Sequence, residues 1–352
     1  MNTRIVKLDF KNSGQNHLKE AAQILREGGL VIIPTETVYG IAANMLNKGA
    51  LNRLYEIKQR PKDKPFSLHI EEKNRIEDFA INIPISAYKL IDRFWPGPLT
   101  LILQAKLEGK VGLRMPDNGI ALEVIRQAGV PIVCPSANIS GSPAPINFAE
   151  AIKDLDGLVD FAIDSGAAKL GVESSVVDLT LEPLRVLREG AIKKEDIEAA
   201  ALEKIVLFIC TGNSCRSVMA EALLEKNLKE KKRNDVKVLS AGIMLLSGLG
   251  PTHETIEVLK KEGIDISGHR SQKVTQDLLK KSDLILVMEG AHEERILKLL
   301  PQAKNRLFLL KEFAKMKDNN LDIPDPIGRS TGFYEMTLAT IKEAVERVSE
   351  II

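Results

Sequence analysis

The 352-residue chain is poor in cysteine, in aromatic residues and in net charge. Its three cysteines include no CxxC pair, which argues against a disulfide scaffold or a zinc site and suits a reducing compartment. Aromatic residues make up 4%, and 49 basic residues balance 48 acidic ones, so no polyanion-binding tail is indicated. No apolar run approaches the about 18 residues of a membrane span, and the start MNTRIVKLDF lacks a signal-peptide core. These absences predict a soluble, cytoplasmic protein without a membrane partner.

The length of the chain predicts two domains, because it exceeds the size at which one hydrophobic core usually keeps growing. Residues 191–204 (AIKKEDIEAAALEK) have the pattern of a charged helix, and the strand-like IVLFI follows at once. We therefore place the boundary at residue 203, between domains 1–203 and 204–352. Strand and helix patterns alternate in the first domain, which indicates an α/β fold. In the second domain their regular alternation predicts a doubly wound parallel sheet.

The stretch LFICTGNSCRSVMAEALL, residues 207–224, places Cys210 where a predicted strand ends and a helix begins. Ligands of parallel α/β sheets bind at such positions, and a turn of small residues can point its amide N–H groups at an anion. Arg216 adds a planar fork for two phosphate oxygens, and the same positive field favours a cysteine thiolate, to which Ser217 can donate a hydrogen bond. An acid for the leaving group is available in the proline-rich DIPDPIGRS, as Asp325. The residues of the predicted phosphate-binding loop are Thr211, Gly212, Asn213, Ser214, Cys215 and Ser217.

Residues 205–352 resemble the low-molecular-weight protein phosphatases. The C-x5-R-S loop, SAG at 240–242, HR at 269–270 and the late Asp-Pro stand in the family's order. The resemblance implies Cys210 as nucleophile, Arg216 and the loop amides as phosphate binders, and Asp325 as general acid and then base. It also implies a phosphorylated protein as substrate and no cofactor.

The motifs leave the phosphatase substrate open between phosphotyrosine and phosphoarginine. Members of the family that act on phosphotyrosine tend to carry aromatic residues just after the acid, where this chain has Ile327. Members that resemble protein-arginine phosphatases usually have Thr at the position of Ser214. Arsenate reductases of the same fold need two further downstream cysteines, and none follows Cys215. Cys215 itself could form a reversible disulfide with Cys210 or be a buried thiol.

In the first half, five polar segments, called polar islands below, each stand at the end of an apolar run, and each could bind an anion. Lys58, Arg60, Lys62 and Lys64 concentrate positive charge around two prolines, and a triphosphate or a nucleic acid could meet them. Taken singly, each of these segments could equally be a solvent-exposed loop that binds nothing. RNA binding by the basic loop is not favoured, because the segment lacks interleaved aromatic residues. The islands are PTETVYG (34–40), IKQRPKDKPFSLHI (57–70), VGLRMP (111–116), PSANISG (135–141) and ESSVVDL with VLREG (173–190).

In combination, the islands resemble the YrdC-type threonylcarbamoyl-AMP synthases over residues 15 to 200. The resemblance implies a twisted α/β sheet around a concave, positively charged cavity. It implies synthesis of threonylcarbamoyl-AMP and pyrophosphate from L-threonine, bicarbonate and ATP, with Mg²⁺ accompanying the nucleotide and no separate metal site. By resemblance the ATP-binding residues are Lys58, Arg60, Arg114, Ser136, Asn138 and Arg188. The threonine-binding residues are Thr35, Ser67, His69 and Ser174.

Taken together, the two resemblances predict a bifunctional enzyme. A tRNA-modifying transferase is expected to act downstream of the synthase, and direct binding of tRNA stays open. YrdC-like domains also occur in enzymes that make carbamoyl adenylates for metal-centre assembly, but those carry additional acylphosphatase and zinc-binding parts that this sequence lacks. The alternative is that one half is a non-catalytic module, which binds RNA or a nucleotide, or senses phosphate, and regulates the other.

Overall fold

The computed structural model of the chain describes residues 2–8, 14–244 and 247–352. It divides into two compact units, Met1–Ala201 and Leu202–Ile352, each with its own hydrophobic core. In the described residues, no helix is long and apolar enough to cross a lipid bilayer.

The first unit is built on a mixed sheet with strand order β1-β8-β2-β3-β7-β4-β6-β5-β9-β10. Its strands are β1 (Arg4–Lys7), β2 (Val31–Ile33), β3 (Gly40–Asn44), β4 (Leu68–His69), β5 (Leu99–Gln104), β6 (Lys110–Arg114), β7 (Ile132–Val133), β8 (Phe161–Asp164), β9 (Ser175–Asp178) and β10 (Arg185–Arg188). The α-helices that precede the second sheet are α1 (Gln15–Arg26), α2 (Lys48–Lys58), α3 (Ile76–Phe79), α4 (Ile85–Phe94), α5 (Gly119–Ala128), α6 (Phe148–Lys153) and α7 (Lys194–Leu202), and a 3-10 helix spans Lys73–Arg75.

Both faces of this sheet are covered, because its central strands are apolar on each side. In β2, Ile32 packs into one hydrophobic cluster while Val31 and Ile33 pack into the other. Asparagine side chains cap the start of several of the covering helices. For example, Asn47 accepts a hydrogen bond from the Ala50 N–H of α2 and so satisfies one of the free amides at the helix start. The predicted α/β class is confirmed.

The helix predicted over residues 191–204 is shorter than expected. It begins at Lys194, because Ala191 and Ile192 are held beside the start of β9: Ala191 donates to the Glu173 carbonyl and Ile192 to the Ser175 hydroxyl. Lys204 already belongs to the next strand.

The second unit contains a parallel sheet in the order β12-β11-β13-β14. The strands are β11 (Lys204–Cys210), β12 (Val236–Gly242), β13 (Leu284–Val287) and β14 (Leu307–Leu309). The helices are α8 (Arg216–Glu230), α9 (His253–Lys261), α10 (Gln276–Lys281), α11 (Gly290–Leu299), α12 (Leu310–Phe313) and α13 (Thr331–Ile351), with a 3-10 helix at Pro301–Arg306.

The position of β11 sets the place of the second site. Its neighbours β12 and β13 lie on opposite sides, so the strand order reverses there and a crevice opens beyond its carboxyl end. Successive residues of β11 enter opposite cores, with Phe208 in one and Leu207 in the other. The predicted doubly wound parallel sheet is confirmed.

Candidate active sites

A cavity of about 370 Å³ opens in the first unit. Its walls include Thr100 and Ile102 of β5 and Val176 of the neighbouring β9. Asn138 does not line the cavity. Its side-chain oxygen accepts a hydrogen bond from Lys58, which does line it. The predicted residues that line the cavity are Thr35, Lys58, Arg60, Ser67, His69, Arg114, Ser136, Ser174 and Arg188.

The arginines of the cavity are held in place by backbone carbonyl groups. Arg60 donates from Nε to the Lys64 carbonyl at 2.9 Å and lies over the Phe66 ring. Arg188 donates from Nε to the carbonyl of Ser174 at 2.9 Å. Cationic groups oriented in this way before a ligand arrives lose little entropy when an anion binds.

Arg114, the third arginine, is buried and clamped by side chains. Its Nη2 donates to Glu36 Oε1 at 2.7 Å and to Thr37 Oγ1 at 2.8 Å, and its Nε faces the Gly97 carbonyl at 3.3 Å. Sequence reasoning did not assign Glu36 or Thr37 individually, although both lie inside the PTETVYG motif.

Lys58 is the last residue of α2 and is buried rather than part of the basic loop after it. Its Nζ donates to the carbonyl groups of Ser136 and Asn138, at 2.7 and 2.6 Å. Burial, followed by the nearby charge of Arg60, lowers the pKa of Lys58 to about 8. Lys62, by contrast, contacts Asn52 on the surface.

His69 and Cys134 are neutral groups in the cavity wall. Burial, and then the charge of Arg114, lowers the pKa of His69 to about 3, and its Nδ1 has no partner among the described residues. Burial raises the pKa of Cys134 to about 12, so this thiol stays protonated at neutral pH. The cavity therefore presents cations beside an uncharged imidazole that can still hydrogen-bond a ligand.

Glu173 supplies a carboxylate to the cavity wall and pairs with Arg188 at 2.6 Å. The described residues contain no group of three or more potential metal ligands. Such a wall fits a magnesium ion that arrives with phosphates, since Mg²⁺ is commonly held by one or two carboxylates together with the substrate.

The second site is the loop between β11 and α8. Cys210, the last residue of β11, is buried, and its Sγ lies 3.0 Å from Ser217 Oγ and 3.3 Å from the Asn213 N–H. No side chain caps the first turn of α8. Its free amides, together with those of the loop, suit a phosphate group.

Asn213 holds this loop in shape from inside. It has φ +54°, a left-handed conformation that asparagine tolerates better than most residues. The Gln272 N–H donates to Asn213 Oδ1, which leaves the side-chain amide to donate to Ser217 and Ser240. Because Ser217 Oγ accepts that bond, its own hydrogen is free to be donated to Cys210.

Further polar groups support the loop from the neighbouring strand. Ser240 of β12 donates to Glu221, and burial raises the pKa of that carboxyl. His269 contacts the Asn213 carbonyl at 3.0 Å. A Cβ on Gly242 would lie 2.8 Å from the Thr211 carbonyl oxygen, so the glycine of SAG allows the loop to pack closely.

Arg216 is buried at the start of α8 and is surrounded by acceptors. Nη1 contacts Glu289 and donates to the Ile323 carbonyl at 2.7 Å, while Nη2 contacts Asp325 at 2.5 Å and Thr211 Oγ1 at 3.2 Å. Its buried Nε has no partner among the described residues. The structure thus brings Cys210, Arg216 and Asp325 to one crevice.

Two residues of this crevice escaped sequence reasoning. Glu289 stands two residues after the end of the buried strand β13, and its position after a strand end could have identified it. His292 is buried and contacts Thr211 Oγ1 at 3.0 Å, and burial lowers its pKa. No local sequence pattern marks it.

The residues that bear on substrate choice lie around the same crevice. Ser214 is half-buried, and Cys215 is buried with its Sγ 3.4 Å from the Thr252 hydroxyl. Ile327 is exposed, and its N–H donates to the Asp325 carboxylate. Arg329 lies over the ring of Phe333, 5.9 Å from its centroid.

Comparison with known proteins gives separate matches for the two halves. A family model for Sua5, YciO and YrdC proteins, described as telomere recombination, matches residues 23–190. The model of the low molecular weight phosphotyrosine protein phosphatases matches residues 205–352.

The first half is similar to the threonylcarbamoyl-AMP synthase of Bacillus subtilis, with 41% identity over 201 residues, 54% of this chain and 58% of that protein. The chain thus spans little more than half the length of this relative. The second half is 39% identical to EpsP of Ralstonia nicotianae, a probable low molecular weight protein-tyrosine-phosphatase, over 41% of this chain and 92% of that protein. Among solved structures, P. abyssi Sua5 complexed with L-threonine matches with a TM-score of 0.54 and 25% identity, covering 97% of this chain and 98% of that one.

Proposed function

The chain belongs to the Sua5/YciO/YrdC family in its first half and to the low molecular weight phosphotyrosine protein phosphatases in its second half, and we propose that it is a bifunctional enzyme. Domain 1–203 makes threonylcarbamoyl-AMP for the modification of tRNA, and a tRNA-modifying transferase consumes the product. Domain 204–352 is a cysteine-dependent phosphatase that acts on phosphorylated protein.

The observation that carries the synthase proposal is the set of pre-oriented cations around one cavity. The amine of L-threonine and bicarbonate combine to a carbamate with loss of water, and a carbamate oxygen attacks the α-phosphorus of ATP. Pyrophosphate leaves as the phosphorus–oxygen bond breaks, and Lys58, Arg60, Arg114 and Arg188 stabilise its charge. Ser136 and Asn138 orient Lys58, and Ser136, which lines the cavity, also binds the nucleotide.

The threonine site follows from the neutral part of the cavity wall. Thr35, Ser67 and Ser174 supply hydroxyl groups, and the uncharged His69 offers a hydrogen-bonding nitrogen without repelling an ammonium or amine. Mg²⁺ would enter with ATP and neutralise its phosphates, and Glu173 is the carboxylate on the wall that could reach it. The chain's residues orient the substrates and stabilise the leaving group.

The synthase proposal is tested by pyrophosphate release from the full chain. Release should require ATP, L-threonine and bicarbonate together. Arg114→Ala should reduce it strongly because a buried phosphate-binding cation is removed, whereas Cys210→Ser in the other unit should leave it unchanged. Release that continues without threonine would refute the assignment.

The observation that carries the phosphatase proposal is the Cys210 thiol, which faces a loop amide and a serine hydroxyl beside the Arg216 fork. The thiolate attacks phosphorus, and the bond to the leaving group breaks as Asp325 gives that group a proton. Asp325 then takes a proton from the water that hydrolyses the phosphocysteine. The substrate phosphate takes over the guanidinium of Arg216, which releases Asp325 from its ion pair with that arginine.

The proposed substrates are phosphoarginine and phosphotyrosine in proteins. Asp325 and Glu289 place two carboxylates against Arg216, and such an acidic rim is complementary to the cationic leaving group of phosphoarginine. The exposed Ile327 offers no ring for stacking on a tyrosine. Both arguments favour phosphoarginine over phosphotyrosine.

Turnover of phosphoarginine and phosphotyrosine peptides by the same preparation decides between the two substrates. Cys210→Ser should abolish both activities, and Arg114→Ala is the matched control that should keep them. A higher kcat/KM for phosphotyrosine would overturn the preference proposed here, and unchanged phosphate release by Cys210→Ser would overturn the phosphatase itself. If only one of the two activities responds to its own variant, the other unit is a binding module.

A further inference from the structure

Thr211, the first residue after Cys210, places its hydroxyl beside the edge of Arg216 that is left for a phosphate group. Arg216 Nη1 is occupied by Glu289 and by the Ile323 carbonyl, whereas Nε has no partner in the described part of the chain. The edge left for two phosphate oxygens is therefore the one formed by Nε and Nη2. Thr211 Oγ1 lies 3.2 Å from Nη2, so a phosphate on this edge is within reach of the threonine hydroxyl.

The second neighbour of this hydroxyl is the buried His292. Its Nε2 lies 3.0 Å from Thr211 Oγ1, and its Nδ1 is buried without a partner among the described residues. Burial, and then the charge of Arg216, lowers the pKa of His292, so the ring is neutral at pH 7 and carries one N–H.

The place of each hydrogen follows from what the three side chains can donate. Arg216 has no acceptor, so Nη2 donates to Thr211 Oγ1. A hydrogen on His292 Nδ1 would be a buried donor without an acceptor, and orphaned buried N–H groups are rare in proteins. We therefore place the hydrogen on Nε2, which donates it to Thr211. Thr211 then uses its two lone pairs as acceptors, and its own hydrogen stays available.

We propose that the Thr211 hydroxyl is a catalytic donor to the substrate phosphate and that His292 is the positioning residue that orients it, an inference that rests on the phosphatase function proposed above. The donation of Nε2 to Thr211 turns the hydroxyl hydrogen away from the imidazole. A phosphate group that replaces Asp325 on Arg216 is then the acceptor for that hydrogen.

An uncharged donor at this position also suits the proposed substrate. A hydrogen bond to a charged phosphate oxygen is stronger than one between neutral groups. Thr211 supplies such a bond without a further positive charge, which would repel the cationic leaving group of phosphoarginine.

The test measures the affinity of the full chain for orthovanadate, an analogue of the phosphoryl group in transfer, by calorimetry at pH 7. Thr211→Val removes the hydroxyl and keeps the shape, and it should bind orthovanadate at least about tenfold more weakly because a hydrogen bond to a charged group is lost. Thr211→Ser keeps the hydroxyl and should bind as the wild type does.

The role of His292 is tested by a double-mutant cycle. His292→Leu should weaken orthovanadate binding in the wild-type chain but should have no further effect in Thr211→Val, because His292 acts through the Thr211 hydroxyl. His292→Gln, whose amide N–H can take the place of Nε2–H, should bind close to wild type. Nitrogen NMR spectra of the orthovanadate complex should show His292 protonated at Nε2 and unprotonated at Nδ1.

A matched control and a second deletion protect the test from folding artefacts. Thr337 is another buried threonine of the same unit, whose hydroxyl donates to the Phe333 carbonyl within α13, and Thr337→Val should retain the wild-type affinity. Thr211→Ala repeats the hydroxyl deletion in case the valine variant does not fold.

The outcomes separate this inference from the proposed function. Wild-type affinity in a folded Thr211 deletion, additive effects of the Thr211 and His292 variants, or a protonated Nδ1 would overturn the inference while the phosphatase assignment stands. A wild-type chain that neither binds orthovanadate nor releases phosphate from the two peptides would overturn the phosphatase assignment, and this inference with it.

Discussion

Replacement of His69 should remove an acid sensitivity from the first unit. His69 is buried beside Arg114, and burial, more than that charge, lowers its pKa to about 3. In the unfolded chain a histidine titrates near its ordinary value of about 6.5. As the pH falls below about 6.5, the unfolded chain therefore takes up a proton that the folded unit refuses, and the folded state loses stability.

The expected size of the effect follows from the two pKa values. Between pH 6.5 and pH 5 the loss is about 1.4 kcal/mol per pH unit, or about 2 kcal/mol in all. His69→Gln lacks the titrating ring, so the difference in unfolding free energy between wild type and variant should shift by about 2 kcal/mol between pH 7 and pH 5. Carboxylates that titrate in both proteins cancel in this difference.

The assay uses the single tryptophan of the chain. Trp95 lies in the first unit, is buried, and donates from its indole to the Leu99 carbonyl at 2.7 Å. Urea unfolding followed by its fluorescence therefore reports on this unit within the full chain. His17→Gln, at a half-buried position of α1, is the control for the loss of a histidine outside the cavity. A wild-type minus His69→Gln difference that is equal at pH 7 and pH 5 would refute the reasoning.

Three further predictions concern single residues of the two sites. The affinity for ATP should fall about tenfold between pH 7 and pH 9, because the pKa of Lys58 lies at about 8 and its charge is lost above that value; Lys58→Met should show no such fall in titrations with ATP. Gly242→Ala should lower phosphatase kcat/KM at least about tenfold and spare pyrophosphate release, since its Cβ would meet the Thr211 carbonyl oxygen at 2.8 Å; equal activity would show that the loop yields. Asn213→Ala should destabilise the second unit by about 1–3 kcal/mol in calorimetric unfolding, because buried Ser217 and Ser240 lose a donor. Asn213→Gly should cost about as much if the lost hydrogen bonds dominate, and much less if the left-handed backbone of residue 213 dominates.

The two family resemblances drawn from the motifs are confirmed, and so is the α/β architecture of each half. The loop after Cys210 was the easiest part to predict because its residues are contiguous and lie between a clear strand and a clear helix. The first site was harder, since Lys58, Arg114 and Arg188 belong to separate elements. Their common target could be inferred only through resemblance.

The motifs indicated which residues belong to the first site but not how the side chains of Lys58 and Asn138 are placed in it. Charge alone groups Lys58 with a basic loop, whereas the structure buries it at the end of α2, with its amino group against backbone carbonyls. The resemblance predicts that Asn138 faces ATP, whereas its side chain lies against Lys58 in the structure. Neither position follows from charge or turn propensity, because both depend on how α2 packs beside the segment after β7.

The sequence by itself determined the local units: a strand, an anion-binding turn and a helix around Cys210, and polar islands at the ends of apolar runs. Chain connectivity sets such spacings, so they can be predicted without knowledge of the fold. Only the tertiary structure decided which distant groups meet, as when Glu289 reaches Arg216 and when Thr37 stands between Arg114 and Thr35. These contacts depend on strand order and register, which are properties of the packed sheet and are not encoded in any single segment.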